Sequence, residues 1–173
     1  MDDTSNAIAD LFDKQAIYEV VLRYCRGIDR LDYDLIRSAY HPDGIDHHTG
    51  FDGPVDEYIQ WLRCKIETFD GTMHFVGNHY VELFGDRAIS ETYSTATHWG
   101  GGPAGPAGLN FTSGARFVDL MERRDGMWAI SERWAIREWT RSDAGRFIAP
   151  EAAGPRTIRG SSDTFHQLRL SLA

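Results

Sequence analysis

The sequence predicts an α+β domain in which helices come first and then cover a long antiparallel meander. Three observations predict it. Apolar residues recur at helical spacing up to about Phe69 and alternate at strand spacing afterwards. Gly85-Asp86 and Asp125-Gly126 are turn signals that fold the second half into hairpins. Helices and strands come in runs, without the βαβ alternation of a parallel sheet.

Each element has a local reason. Ser5 or Asn6 caps a short helix through Leu11 and Phe12. From Lys14 to Ile28, the residues Ile17, Val20, Val21, Tyr24 and Ile28 share one helical face. Gly27 weakens the last turn. Asp32 caps a third short helix carrying Leu35, Ile36, Ala39 and Tyr40, and His41-Pro42-Asp43-Gly44 stops it. A short polar strand and turn run from Ile45 to Gly53. Pro54 suits the first turn of a helix to about Phe69, with Val55, Ile59, Leu62 and Ile66 as its apolar stripe. Four long strands follow: Thr72–Phe84, Arg87–Gly100, Phe111–Arg123 and Met127–Arg141. Gly100–Gly108 is too rich in glycine and proline for either element and reads as a loop bordering a site. Thr164–Leu172 reads as a last short helix.

Composition narrows the function. The 173 residues suit one domain with its own core. A formal charge of −8 argues against nucleic acid or an anionic membrane surface as partner, since both demand a basic face. No apolar run approaches a membrane span, and the polar, acidic start is not that of a signal peptide. Cys25 and Cys64 have no partner spacing and read as buried free thiols, which suits a reducing cytoplasm. Asp46-His47-His48 does not read as a metal site, because adjacent strand histidines point to opposite faces. No phosphate loop, dinucleotide fingerprint or nucleophile elbow is present, and no cofactor is expected.

Some residues carry potential chemistry. Asp29 ends the amphipathic helix, where a carboxylate opposes the macrodipole and calls for compensation, a nearby histidine being one candidate. Strand alternation puts Thr72, His74, Val76 and Asn78 on one face. His98 ends the second strand with Ser94 and Ala96 on its face. Tyr24 precedes Asp29 on the helix, and Arg137 lies in the last strand. Each also has a bland reading as a solvated or packed side chain.

Several segments resemble the SnoaL-like family of the nuclear-transport-factor-2-like superfamily. They are Tyr24-Cys25-Arg26-Gly27-Ile28-Asp29, Asp52-Gly53-Pro54, Met73-His74-Phe75-Val76-Gly77-Asn78 and Glu122-Arg123-Arg124-Asp125-Gly126-Met127-Trp128. The likeness runs from about Ala7 to Arg141 and is nearest to hexachlorocyclohexane dehydrochlorinase, scytalone dehydratase and bile-acid 7α-dehydratase. It implies a cone-shaped domain over residues 1–145, with residues 146–173 as a tail on the same domain or a neighbouring subunit. It implies His74 as general base oriented by Asp29, with His98, Tyr24 and Arg137 assisting departure of a leaving group. Trp61, Phe75, Asn78, Trp99 and Phe111 are expected to line the pocket, with Asn110, Trp134 and Trp139 as further candidates. The expected activity is a cofactor-independent lyase on a small apolar or polycyclic substrate. An isomerase or cyclase, a non-catalytic dioxygenase subunit and a ligand-binding module stay open, because this fold hosts them all. Relatives imply a homodimer or homotrimer.

Overall fold

The computed structural model describes residues 3–100, 110–143 and 158–172. The element order is α1 (Asp3–Arg30), α2 (Tyr33–Arg37), β1 (Tyr40–His48), β2 (Phe51–Pro54), α3 (Val55–Ile66), β3 (Gly71–Phe84), β4 (Arg87–Trp99), β5 (Asn110–Arg124), β6 (Met127–Asp143) and α4 (Thr164–Ser171). The strands form an open six-stranded sheet in the order β2-β1-β6-β5-β4-β3. The chain is α+β, with a sheet that is antiparallel except where β1 runs parallel to β6.

The first two expected helices are one. Nothing between Phe12 and Lys14 breaks helical geometry, and Asp13 ties this stretch to the sheet by accepting from Trp128 Nε1 at 2.8 Å and Arg123 Nη1 at 2.9 Å. The expected stripe is the one that packs: Ile17, Val20, Val21, Tyr24 and Ile28 are all 3% exposed or less. Gly27 has a packing reason. A Cβ there would meet Ile36 Cγ1 at 2.6 Å, so only glycine lets α2 fold this closely under α1. Asp32 caps α2, its carboxylate accepting from the Leu35 N–H at 2.9 Å.

The stretch read as a stop followed by a strand from Ile45 is a longer strand, β1, starting at Tyr40. Its pairing with β6 breaks register between Tyr40 and Ile45, where Pro42 has no N–H to give a ladder. Pro54 stands at the cap of α3, one position before its first turn. Beyond Gly100 the expected loop lies outside the described residues, as do residues 146–157 of the expected tail. The described part of the tail folds back on its own chain, with the Gly160 N–H donating to Arg30 O at 2.8 Å. Cys25 is buried, and burial pushes its thiol up to about 12, so it is inert. Cys64 corrects the expectation of two buried thiols: it lies on the outer side of α3 and is exposed.

Candidate active site

The inner face of the sheet and the helices α1 and α3 enclose a cavity of about 410 Å³. Its walls include Ile28, Trp61, Phe69, Phe111 and Phe117, and its lining also carries His48, Lys65, His74, His98 and Arg137. Small-molecule sites run to roughly 300–1,000 Å³ and are built in this manner, mostly apolar with a few convergent polar groups.

Asp29 and His74 meet. The last turn of α1 brings Asp29 against the start of β3, where His74 Nδ1 lies 2.7 Å from Asp29 Oδ1. The backbone N–H of His74 donates to Asp29 Oδ2 at 2.9 Å, and Thr72 Oγ1 donates at 3.3 Å. A carboxylate acceptor fixes the tautomer: Nδ1 carries the proton and Nε2 keeps its lone pair. His74 lines the cavity, while Asp29 stands behind it and borders an outer groove instead. This is the arrangement of an imidazole base and the carboxylate that orients it.

The macrodipole conflict at Asp29 has a resolution that sequence reading missed. Arg159, from the segment before α4, reaches under the ends of two helices. Its Nε donates to Asp29 O at 3.2 Å, Nη2 to Ile28 O at 3.3 Å and Nη1 to Phe69 O at 3.1 Å. A cation on the terminal carbonyls is favourable to both helix dipoles and offsets the nearby carboxylate.

His98 sits 6.2 Å from His74 between ring centroids, wedged between Phe69 and Phe111. Burial first, and then the charge of His74, pull it down to about 4. It is therefore neutral at neutral pH and can offer or accept a hydrogen bond without acting as a reservoir of positive charge. Its buried Nδ1 and the buried Ser94 Oγ have no hydrogen-bond partner among the described residues, and both residues line the cavity.

Arg137 lines the cavity and also an outer groove, and its guanidinium lies 5.5 Å from the Phe111 ring centre. Tyr24 is 0% exposed but belongs to the cavity wall, with its hydroxyl turned from Asp29 toward another cluster. Its hydroxyl lies 2.5 Å from the Tyr58 hydroxyl and 3.4 Å from His48 Nε2. Burial, then the negative charge of Asp46, push the Tyr24 phenol well above its ordinary range. Beneath it lies a fully buried ion pair, Arg133 Nε and Nη2 each donating to Asp119 at 2.7 Å, with the guanidinium 4.1 Å from the Tyr24 ring centre. Burial is the largest single effect and works against this charge, but Asp119, Tyr40 and Tyr24 together hold Arg133 well above its usual range.

Of the expected lining residues, Trp61 and Phe111 face the cavity. Phe75, Asn78 and Trp99 do not. Phe75 alternates with His74 onto the outer face and is 71% exposed. Asn78 would share the face of His74 in a regular strand, but β3 shifts register between Val76 and His79, which moves Asn78 to the outside. Trp99 neighbours His98 and so faces the opposite way, packing over Gly71, where a Cβ would meet its ring at 2.2 Å. Trp134 stacks on His47 and Trp139 covers Gly114, both away from the cavity. Asn110 is buried and accepts from the Gly100 N–H at 3.4 Å.

Sequence reading weighed Asp46 and His48 only as metal ligands and gave Tyr58 no role in the site. Asp46 is 0% exposed, and it accepts from His48 Nδ1 and, at 2.5 Å, from the Tyr40 hydroxyl. The same strand alternation that separates His47 from His48 puts Asp46 and His48 on one face, so the signal was present. Among the described residues no three His, Cys, Asp or Glu side chains gather as metal ligands, and no helix is long and apolar enough to cross a membrane.

Residues 9–134 match the family model of the SnoaL-like domain. An uncharacterized protein of Mycobacterium tuberculosis is 29% identical over 93 residues, 52% of this chain and 63% of the relative. An uncharacterized Mycobacterium bovis protein matches to the same extent, so the match spans 63% of the length of these relatives. Among solved structures, LinA Type2, a hexachlorocyclohexane dehydrochlorinase, superposes with a TM-score of 0.74 at 16% identity, over 84% of this chain and 99% of that one. A candidate scytalone dehydratase of Novosphingobium aromaticivorans gives 0.69 at 18%, over 86% and 99%. The Kfla4162 protein of Kribbella flavida gives 0.67 at 22%, over 76% and 95%. At these identities the structural likeness is one of fold. The family match covers most of the chain, and with helices laid over an open mixed sheet around a cavity, the chain belongs to the SnoaL-like domain family.

Proposed function

We propose that this protein is a cofactor-independent lyase that removes a proton from carbon and expels a leaving group. The observation that carries the reading is the 2.7 Å contact of His74 Nδ1 with Asp29 Oδ1, beside an apolar cavity that His74 itself lines. In this reading His74 Nε2 takes the proton, and Asp29 holds the ring and balances the imidazolium formed. His98 and Arg137 supply hydrogen bonds to developing negative charge. Tyr24, in the cavity wall, acts together with Tyr58 and His48, to which its hydroxyl is bonded. The substrate is a small, largely apolar ring compound, in keeping with the walls. The dehydrochlorinase and dehydratase names among the structural neighbours agree with this chemistry.

The protein is read as cytoplasmic and as a homodimer or homotrimer. The outer sheet face supports association, with Phe75, Tyr93, Ile136 and Trp139 all exposed.

The test uses 2-tetralone in D₂O, a bicyclic ketone with acidic C–H bonds, with exchange followed by mass. Exchange is expected in the wild type and is expected to fall by at least about 10²-fold in His74→Ala. Exchange unchanged by that substitution overturns the reading. A panel of ring β-hydroxy ketones then separates elimination from isomerisation or cyclisation: loss of water from the product mass marks the lyase, and an unchanged mass the alternatives.

A further inference from the structure

The cavity holds a second histidine with its own carboxylate. His48 Nδ1–H donates to Asp46, which leaves Nε2 as the working nitrogen, as in His74. Two phenols face that nitrogen, Tyr24 and Tyr58, each with its hydroxyl 3.4 Å away. That separation is long for a hydrogen bond, and the phenols satisfy each other instead at 2.5 Å. One of the two phenol protons is used between them, and the other is left to donate to Nε2 at 3.4 Å, a long contact that a ligand oxygen can displace.

Asp46, Tyr24 and Tyr58 are each 0% exposed, whereas the His48 side chain keeps 21%. His48 is thus the most accessible member of the cluster, with Tyr24 and Tyr58 behind it in the same cavity wall and Asp46 outside it. It lines both the cavity and the groove by Thr49, Gly50 and Arg137, stacked on Tyr58 at 4.8 Å. His48 is anchored at Nδ1, packed on one ring face by Tyr58, held at Nε2 only by two long contacts, and partly exposed on the cavity side.

We propose that His48, held by Asp46, is a second acid–base residue that binds and protonates a substrate oxygen, so that the substrate class is a hydroxylated ring ketone and not an organohalide. This rests on the reading of His74 as the carbon base. The step balances. His74 Nε2 takes a proton from carbon, and the C–H pair becomes the C=C bond. The C–O bond breaks with its pair on oxygen, which takes the Nε2 proton of cationic His48 and leaves as water. His74 ends protonated and His48 neutral, and solvent returns the proton. Chloride leaves without a proton, so a halide substrate has no use for this group.

The probes are 2-naphthol, an enol mimic, and naphthalene, which lacks the oxygen. Wild-type protein is expected to bind 2-naphthol at least about tenfold more tightly, the scale of one charge-assisted hydrogen bond. His48→Phe keeps the stacking and is expected to abolish that preference while naphthalene still binds, which also reports that the variant is folded. His74→Ala is expected to keep the preference. On the wild type itself, NOEs from the protons flanking the naphthol hydroxyl are expected to Trp61 and Tyr58. Equal or absent binding of the two probes by the wild type, a preference surviving His48→Phe, a preference lost in His74→Ala, or NOEs to Phe69 in place of Trp61 and Tyr58 overturns the proposal. Carbon-proton exchange lost in His74→Ala would still support the carbon base in any of these cases, so the two readings fail separately.

Discussion

Two histidines of the cavity are each held by a carboxylate, yet the pairs are made by different means. Asp29 and His74 stand 45 residues apart, one on the end of a helix and one at the start of a strand. Asp46 and His48 stand two residues apart on β1. The first pair forms where α1 docks on the sheet, with Arg159 bonded to the carbonyls of the same helix end. The second needs little more than the strand's own pleat. The remote pair is therefore sensitive to tertiary packing, and the local pair depends on its surroundings for character: two phenols in the cavity wall, a buried Arg133–Asp119 pair and the stacked Tyr58.

The strongest way to break the comparison is to remove the buried ion pair that supports the local pair. Asp119→Ala leaves Arg133 charged and unpaired in the core, and denaturant melts are expected to show a loss of about 3–5 kcal/mol. Replacing Arg133 and Asp119 together with leucines is expected to cost less than Asp119→Ala alone, since no buried charge is stranded. Next in size, Asp29→Asn is expected to slow carbon-proton exchange of 2-tetralone by at least about 10²-fold, while Asp46→Asn slows it by roughly tenfold or less. Equal losses would mean that the pairs share one role.

Arg159→Ala tests whether the remote pair is the fragile one. Losing the cap on α1 and α3 is expected to cost about 1–3 kcal/mol in thermal or denaturant melts. Imidazole NMR signals of His74 are expected to broaden, with those of His48 unchanged. The smallest effect concerns His98. Its value falls from the ordinary 6.5 to about 4 on folding, so between these values the unfolded chain binds the extra proton first. This group's contribution is present above that window and is lost as pH falls through it. His98→Phe is expected to flatten the fall in stability between neutral and mildly acidic pH, read from melts across that range.

Much of the helical half was legible because capping and periodicity are local. The face of α1 and the Asp32 cap follow from spacing alone. The strand parity of Phe75 and Trp99 was legible too, since each neighbours a histidine assigned to the inside. Asn78 was not, because an extra residue in β3 inverts alternation without leaving a mark in composition. Cys64 was misplaced because the exposed side of α3 is set by how the helix docks.

By itself the sequence determined the run of four long strands after the first helices, the hairpin turns, and the resemblance that brought Asp29 and His74 forward together. These rest on short-range chemistry: caps, turns, periodicity and motif spacing. Only the tertiary structure decided that Asp29 and His74 touch, that Arg159 crosses the chain to compensate a helix end, and that Asp46–His48 opens into the same cavity. Those contacts join segments far apart in the chain, and their geometry is fixed by core packing, which no local pattern encodes.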